Sequence, residues 1–86
     1  MHSVQLTNSA AKGYRDSGQY KKKINELFDA LKTNPFPFHD FDLAKLKGLD
    51  NDYRIRIGEL RIKYKVVQEE NAIIVYYVGK REGAYG

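Results

Sequence analysis

Cysteine is absent from this 86-residue sequence, and with it go disulfides, thiolate metal sites and cysteine nucleophiles. That absence fits a reducing compartment. No run of about 18 apolar residues occurs, so no segment reads as a bilayer-spanning helix. The opening "MHSVQLTNSAAKGY" lacks the basic start and apolar core of a signal peptide. A soluble, cytoplasmic protein is the expectation. No GxGxxG, P-loop or nucleophile elbow is present, which removes the commonest nucleotide and hydrolase signatures. Histidine is scarce: His2 and His39 stand far apart, and neither reads as catalytic. "HDFD" (39–42) places carboxylates two residues apart beside a histidine, but without a second ligand cluster it is weak for a metal. We expect no metal and no cofactor.

What is present is enough for one domain, residues 1–86, with no internal repeat. A chain of this length buries roughly 60–65% of its unfolded surface. Its 42% hydrophobic content supports a core without staples. Fifteen Lys and Arg against eleven Asp and Glu give a net charge of +4 and a pI near 9.3. Where those charges lie matters more than their sum.

"SVQLT" (3–7) alternates as a short strand, and Asn8 or Ser9 is placed to cap the helix that follows. "SAAKGYRDSG" reads as a short helix weakened by Gly13 and ended by Ser17-Gly18. In "QYKKKINELFDALKTN" (19–34), Tyr20, Ile24, Leu27, Phe28 and Leu31 form one helical stripe. Lys21 to Lys23, Glu26, Asp29 and Lys32 cover the rest, and Pro35 ends the helix. The loop "NPFPFHDFDLAKLKGLDND" (34–52) offers Phe36, Phe38 and Phe41 as clamps onto that helix. Leu43 and Leu46 fit either a helical turn or a short strand.

Three strands follow. Residues 53–57 and 60–67 flank Gly58-Glu59, and glycine at the first central position marks a type II′ hairpin. After "QEEN", the run "AIIVYYVG" (72–79) is apolar on both faces, as a central strand should be. The order β-α-α-β-β-β predicts an α+β fold with a mostly antiparallel sheet and two N-terminal helices on one face.

The hairpin "YRIRIGELRIKYKV" (53–66) carries the functional signal. Alternation sends Tyr53, Ile55 and Ile57 one way and Arg54 and Arg56 the other. A two-residue loop sets Arg56 opposite Arg61 and Arg54 opposite Lys63, with Lys65 on the same face. Within the stretch the only acid is Glu59, in the turn. Two unit charges about 5 Å apart at an effective dielectric near 20 repel by roughly 3 kcal/mol before salt screening. Lysine and arginine also guard ordinary solvated sheet faces, but such faces mix signs and this one does not. An anion would relieve the repulsion, and the arginine fork suits phosphate. Lys80, Arg81 and Tyr85 extend the set. An even loop at "QEEN" brings Lys80 to the side of Arg61, an odd one Arg81. Tyr76, Tyr77 and Tyr85 are aromatic among basic groups, the pattern of a single-strand stacking platform; core or edge packing is the plainer reading for Tyr76 and Tyr77.

With these residues assembled, the chain resembles a RelE-type toxin of the RelE/ParE superfamily. The resemblance is sharpest in "LKGLDNDYRIRIGELRIKYKV" (46–66) and in "VGKREGAY" (78–85). It implies a toxin that enters the ribosomal A site, cuts messenger RNA there and inhibits translation. It also implies an acidic RelB-like antitoxin that binds the toxin as a hetero-oligomer. The implied reaction is metal-independent attack of the 2′-hydroxyl on its neighbouring phosphate, giving a 2′,3′-cyclic phosphate. Arg54, Arg56, Arg61, Arg81 and Tyr85 match the catalytic positions. Lys63, Lys65 and Lys80 add phosphate binding. Many relatives carry lysine at the position of Arg54 or Arg56. Two other readings stand beside it: a ParE-like poison of DNA gyrase, which shares the fold but lacks the catalytic cluster, and a non-catalytic RNA- or ribosome-binding module.

Overall fold

The computed structural model describes residues 1–80. They run β1 (Ser3–Leu6), α1 (Asn8–Arg15), a single 3₁₀ turn (Gly18–Tyr20), α2 (Lys21–Thr33), β2 (Asp42–Lys45), β3 (Asp52–Ile57), β4 (Leu60–Val67) and β5 (Ala72–Lys80). The sheet order is β1-β5-β4-β3-β2. β1 pairs parallel with β5 and the remaining pairs are antiparallel. The α+β architecture stands, with one strand more than the sequence order implied. Residues 42–45 settle as β2 on the outer edge of β3, with Leu43 opposite Ile55, so Leu43 belongs to a strand and not to a helical turn.

Both helices lie on one face. The α2 stripe holds: Ile24, Leu27 and Leu31 are fully buried, and Tyr20 and Phe28 pack beside them. They meet the inward residues Ile55, Ile57, Leu60, Ile62, Tyr64, Val66, Ile73, Val75 and Val78 of the sheet. Each large apolar side chain so buried contributes roughly 1.5–3 kcal/mol. Tyr64 is wholly buried, and its hydroxyl donates to the Pro35 carbonyl at 2.8 Å. Burial pushes its phenol well above the ordinary tyrosine range. That bond ties the Phe-rich loop to the sheet, and Phe36 and Phe41 pack there as expected. Phe38 does not: it is 63% exposed and stacks on His39 instead. The N-cap also differs. Thr7, one residue before the expected Asn8 or Ser9, accepts from the Ala10 N–H at 3.2 Å.

Two glycines set the geometry. Gly58 opens the β3–β4 turn at φ +58° and lies under the Tyr20 ring; a Cβ there would sit 2.6 Å from Tyr20 Cε1. Gly13 lets α1 lie directly on β5, because a Cβ at that position would run into the Val78 carbonyl oxygen. On an open helix, replacing glycine by alanine stabilises by about 1 kcal/mol. Here the sign reverses: Gly13→Ala should lower the urea-unfolding midpoint by the equivalent of about 1–3 kcal/mol, the range for forced overpacking. A raised midpoint would mean that α1 does not rest on the β5 backbone.

Candidate nucleic-acid interface

The face of the sheet away from the helices is organised in rows by the strand register. Nearest the Gly58 turn, Asp42, Arg56, Arg61 and Gly79 lie across β2, β3, β4 and β5. The next row is Ala44, Arg54, Lys63 and Tyr77. The third holds Asp52, Lys65, Ile74 and, on β1, Gln5. The like-charge pairs read from the sequence are therefore present, Arg56 opposite Arg61 and Arg54 opposite Lys63. Gly58 alone takes positive φ in the turn, as type II′ requires, and that turn enforces the register.

This face does have acids, which the hairpin by itself concealed. Asp42 arrives on β2, with its Oδ2 3.8 Å from Arg56 Nε. Asp52 precedes the stretch by one residue, is only 7% exposed, and its Oδ1 lies 3.9 Å from Lys65 Nζ. Both sit at the rim of the cationic patch. The Asp42 contact is long and solvated and is worth about 0–1 kcal/mol; at the Lys65–Asp52 contact only the lysine end is open to solvent, and the two together temper the positive field without cancelling it. In the middle row Arg54 Nε is buried without an acceptor among the described residues, and Lys63 Nζ lies over the Tyr77 ring, 5.1 Å from its centroid.

The expected register of β5 needs correction. Its loop spans Gln68–Asn71, an even length that would bring Lys80 to the side of Arg61. A bulge intervenes: Tyr64 pairs with Val75 but Lys63 with Tyr77, so Tyr76 is the extra residue. Gly79 then stands opposite Arg61, and Lys80 pairs with Leu60, in the register of the buried row. Lys80 Nζ approaches Glu59 at 3.9 Å, away from the cationic rows. Arg81 and Tyr85 lie outside the described residues. No cluster of three or more histidine, aspartate and glutamate side chains is found among the described residues, and no helix among them is long and apolar enough to cross a membrane.

The bulge also explains how two consecutive tyrosines share a face. The Tyr76 hydroxyl donates to Asp52 Oδ2 at 2.8 Å. Burial, then that hydrogen bond and the Asp52 charge, push its phenol up to about 12. The ordinary value is near 10. The folded chain therefore keeps this proton where the unfolded chain has begun to lose it. The stabilisation is complete below about pH 10 and disappears as pH rises through about 12. Tyr76→Phe should cost about 1 kcal/mol at neutral pH and flatten the alkaline loss of stability. Urea midpoints at about pH 8, 10 and 11 read both effects; identical alkaline slopes in the two proteins would exclude this role for Tyr76.

Comparison with known proteins converges on one family. The model of the ParE toxin of the type II toxin-antitoxin system, parDE, matches residues 4–85. A Methanocaldococcus jannaschii protein provisionally named toxin RelE1 is 48% identical over 64 residues, 74% of this chain and 71% of that one. A chain of the Pyrococcus horikoshii OT3 RelE-RelB complex superposes with a TM-score of 0.82 at 26% identity, covering 96% of this chain and 98% of that one. A chain of the Methanococcus jannaschii RelB-RelE complex gives 0.81 at 26%, covering 95% of each. The isolated E. coli RelE toxin has the same fold, with a TM-score of 0.81 at 22% identity over 99% of this chain and 89% of that one. This chain belongs to the RelE/ParE superfamily of type II toxin-antitoxin toxins, and it is RelE-like in fold.

Proposed function

We propose that this toxin is a ribosome-dependent endoribonuclease that cuts messenger RNA in the ribosomal A site and thereby stops translation. The observation that carries this reading is the paired cationic rows, Arg56 against Arg61 and Arg54 against Lys63, with Asp42 and Asp52 at their rim. That repulsion is tolerated at a cost to folding, and an RNA phosphate relieves it. Arg54, Arg56 and Arg61 provide fixed positive charge for the pentacoordinate phosphorus, whose negative charge grows as the 2′-oxygen bonds to it. The bond from phosphorus to the 5′-oxygen breaks, leaving a 2′,3′-cyclic phosphate and a 5′-hydroxyl. Arginine keeps its charge at any working pH and cannot act as the base. Tyr85 is assigned to take the 2′-hydroxyl proton, and Arg81 to stabilise the negative charge on the departing 5′-oxygen, which takes its proton from water. Lys63 and Lys65 hold flanking phosphates. Lys80 is the weaker member of that set, given its place beside Glu59.

The family model that matches carries the ParE name, so gyrase poisoning by protein contact is the second reading. A poison acting by contact has no use for paired phosphate-binding rows, and the first reading is preferred. The proposed partner is an acidic, amphipathic RelB-like antitoxin that folds as it binds, since structural relatives are found in RelE-RelB complexes. Ribosomes place the action in the cytoplasm.

Primer extension on a defined messenger RNA, with and without purified ribosomes, tests the proposal. Cuts should appear only with ribosomes and at A-site codons. Single substitutions Arg61→Ala and Arg81→Ala should each lower the cleavage rate roughly 10²–10³-fold, the usual consequence of deleting one transition-state donor. Intact RNA beside co-sedimentation with ribosomes would reduce the protein to a binding module, and inhibition of gyrase supercoiling with no cleavage would establish the second reading.

A further inference from the structure

Among the described residues, Tyr77 is the prominent aromatic on the cationic face whose position neither the core nor an acid explains. The aromatic side chains packed against the core include Tyr14, Tyr20, Phe28, Phe36, Phe41 and Tyr53, and Tyr77 is not among them. Its neighbour Tyr76 is committed to Asp52. The bulge instead puts Tyr77 in the middle row, directly across from Lys63. A Cβ built on Gly79, two residues along the same face, would lie 3.1 Å from Tyr77 Oη, 3.2 Å from Cζ and 3.7 Å from Cε2. The ring therefore leans along β5 over the bare backbone of Gly79. Its hydroxyl donates to the Lys80 carbonyl at 2.8 Å and pins it there. Because Gly79 is opposite Arg61, the ring bridges the Lys63 and Arg61 positions, and Lys63 Nζ sits 5.1 Å from its centroid.

We propose that Tyr77 is a stacking platform for one nucleobase of the bound RNA, held in place by Gly79 and by the Lys80 carbonyl. The inference deepens the ribonuclease reading and rests on it for the identity of the ligand. A pinned aromatic ring beside cations is how single strands are held: the bases stack while flanking charges take the phosphates. Restricting the ring in advance lowers the ordering cost of binding. A base that stacks on Tyr77 displaces Lys63 Nζ from over the ring, and Lys63 and Arg61 then flank it for the adjoining phosphates. The hydroxyl is already used by a backbone carbonyl, so the platform offers π-surface and no hydrogen-bond code.

The test is binding of a short single-stranded RNA carrying 2-aminopurine, against the same oligonucleotide with that nucleotide abasic, at low salt. Wild-type protein should prefer the base-containing strand and quench its fluorescence. Tyr77→Leu should weaken the base-containing strand roughly 10-fold, taking 1.4 kcal/mol per tenfold, and leave the abasic affinity unchanged. Tyr77→Phe should retain most of the preference, while Gly79→Ala, which crowds the phenol end of the ring, should lose part of it. Equal binding of the two strands by wild type overturns the platform even if Tyr77→Leu does not fold, as does equal loss for both strands or no loss at all in a folded Tyr77→Leu. The wild-type protein is also assayed for ribosome-dependent cleavage. Cleavage without base preference sinks the platform alone, whereas base preference without cleavage sinks the nuclease reading and keeps the platform.

Discussion

A two-residue turn leaves the hairpin no choice of register. Gly58 adopts φ +58° while Glu59 stays at negative φ, and from there the pairing runs through Ile57–Leu60, Arg56–Arg61 and onward to Asp52–Lys65. Slipping by one residue would turn every inward isoleucine to solvent. The same constraint that seats Ile55, Ile57, Ile62 and Tyr64 against the helices therefore forces Arg54, Arg56, Arg61 and Lys63 together on the other side. The charged face cannot be relaxed by sliding the strands.

What opposes the repulsion is the opposite face of those strands. Ile55, Ile62 and Tyr64 are fully buried beneath Ile24, Leu27 and Leu31, each contributing on the order of 1.5–3 kcal/mol. Repulsion between half-solvated cations is cut to a fraction of its unscreened value by water and salt. Asp42 and Asp52 soften the edges. Asp52 itself stays buried because Tyr76 donates to one of its oxygens and Lys65 approaches the other. Asp42 and Asp52 thus shape the edges of the patch.

Wherever periodicity was strong, the sequence carried the fold. The α2 stripe, the II′ turn and the inward and outward sets of β3 and β4 follow from alternation and one glycine. Three features were illegible for physical reasons. β2 is four residues long, too short for a period, and it exists only because β3 offers an edge. The acids of the face come from Asp42 on a neighbouring strand and from Asp52 at the strand's first position, so reading one hairpin missed both. The bulge at Tyr76 has no local signature: "IIVYYVG" alternates as readily without it, and pairing with β4 alone decides that Tyr77 and Gly79, not Lys80, share the row positions beside Lys63 and Arg61. Arg81 and Tyr85, read from the resemblance, fall beyond the described residues.

Arginine holds both β3 and β4 positions of the row next to the turn, and arginine faces lysine in the middle row. Next to the turn the facing pair is Arg56 with Arg61. Lys63 lies over the Tyr77 ring, Lys65 beside Asp52 and Arg56 beside Asp42. An ammonium pressed by neighbouring cations gives up its proton more readily, whereas a guanidinium does not. Arginine at the crowded row therefore guarantees a field that stays positive whatever the neighbours do. The same property bars those side chains from moving a proton. A face built this way can hold an anion and stabilise charge on it, and a general base must be a side chain other than these arginines.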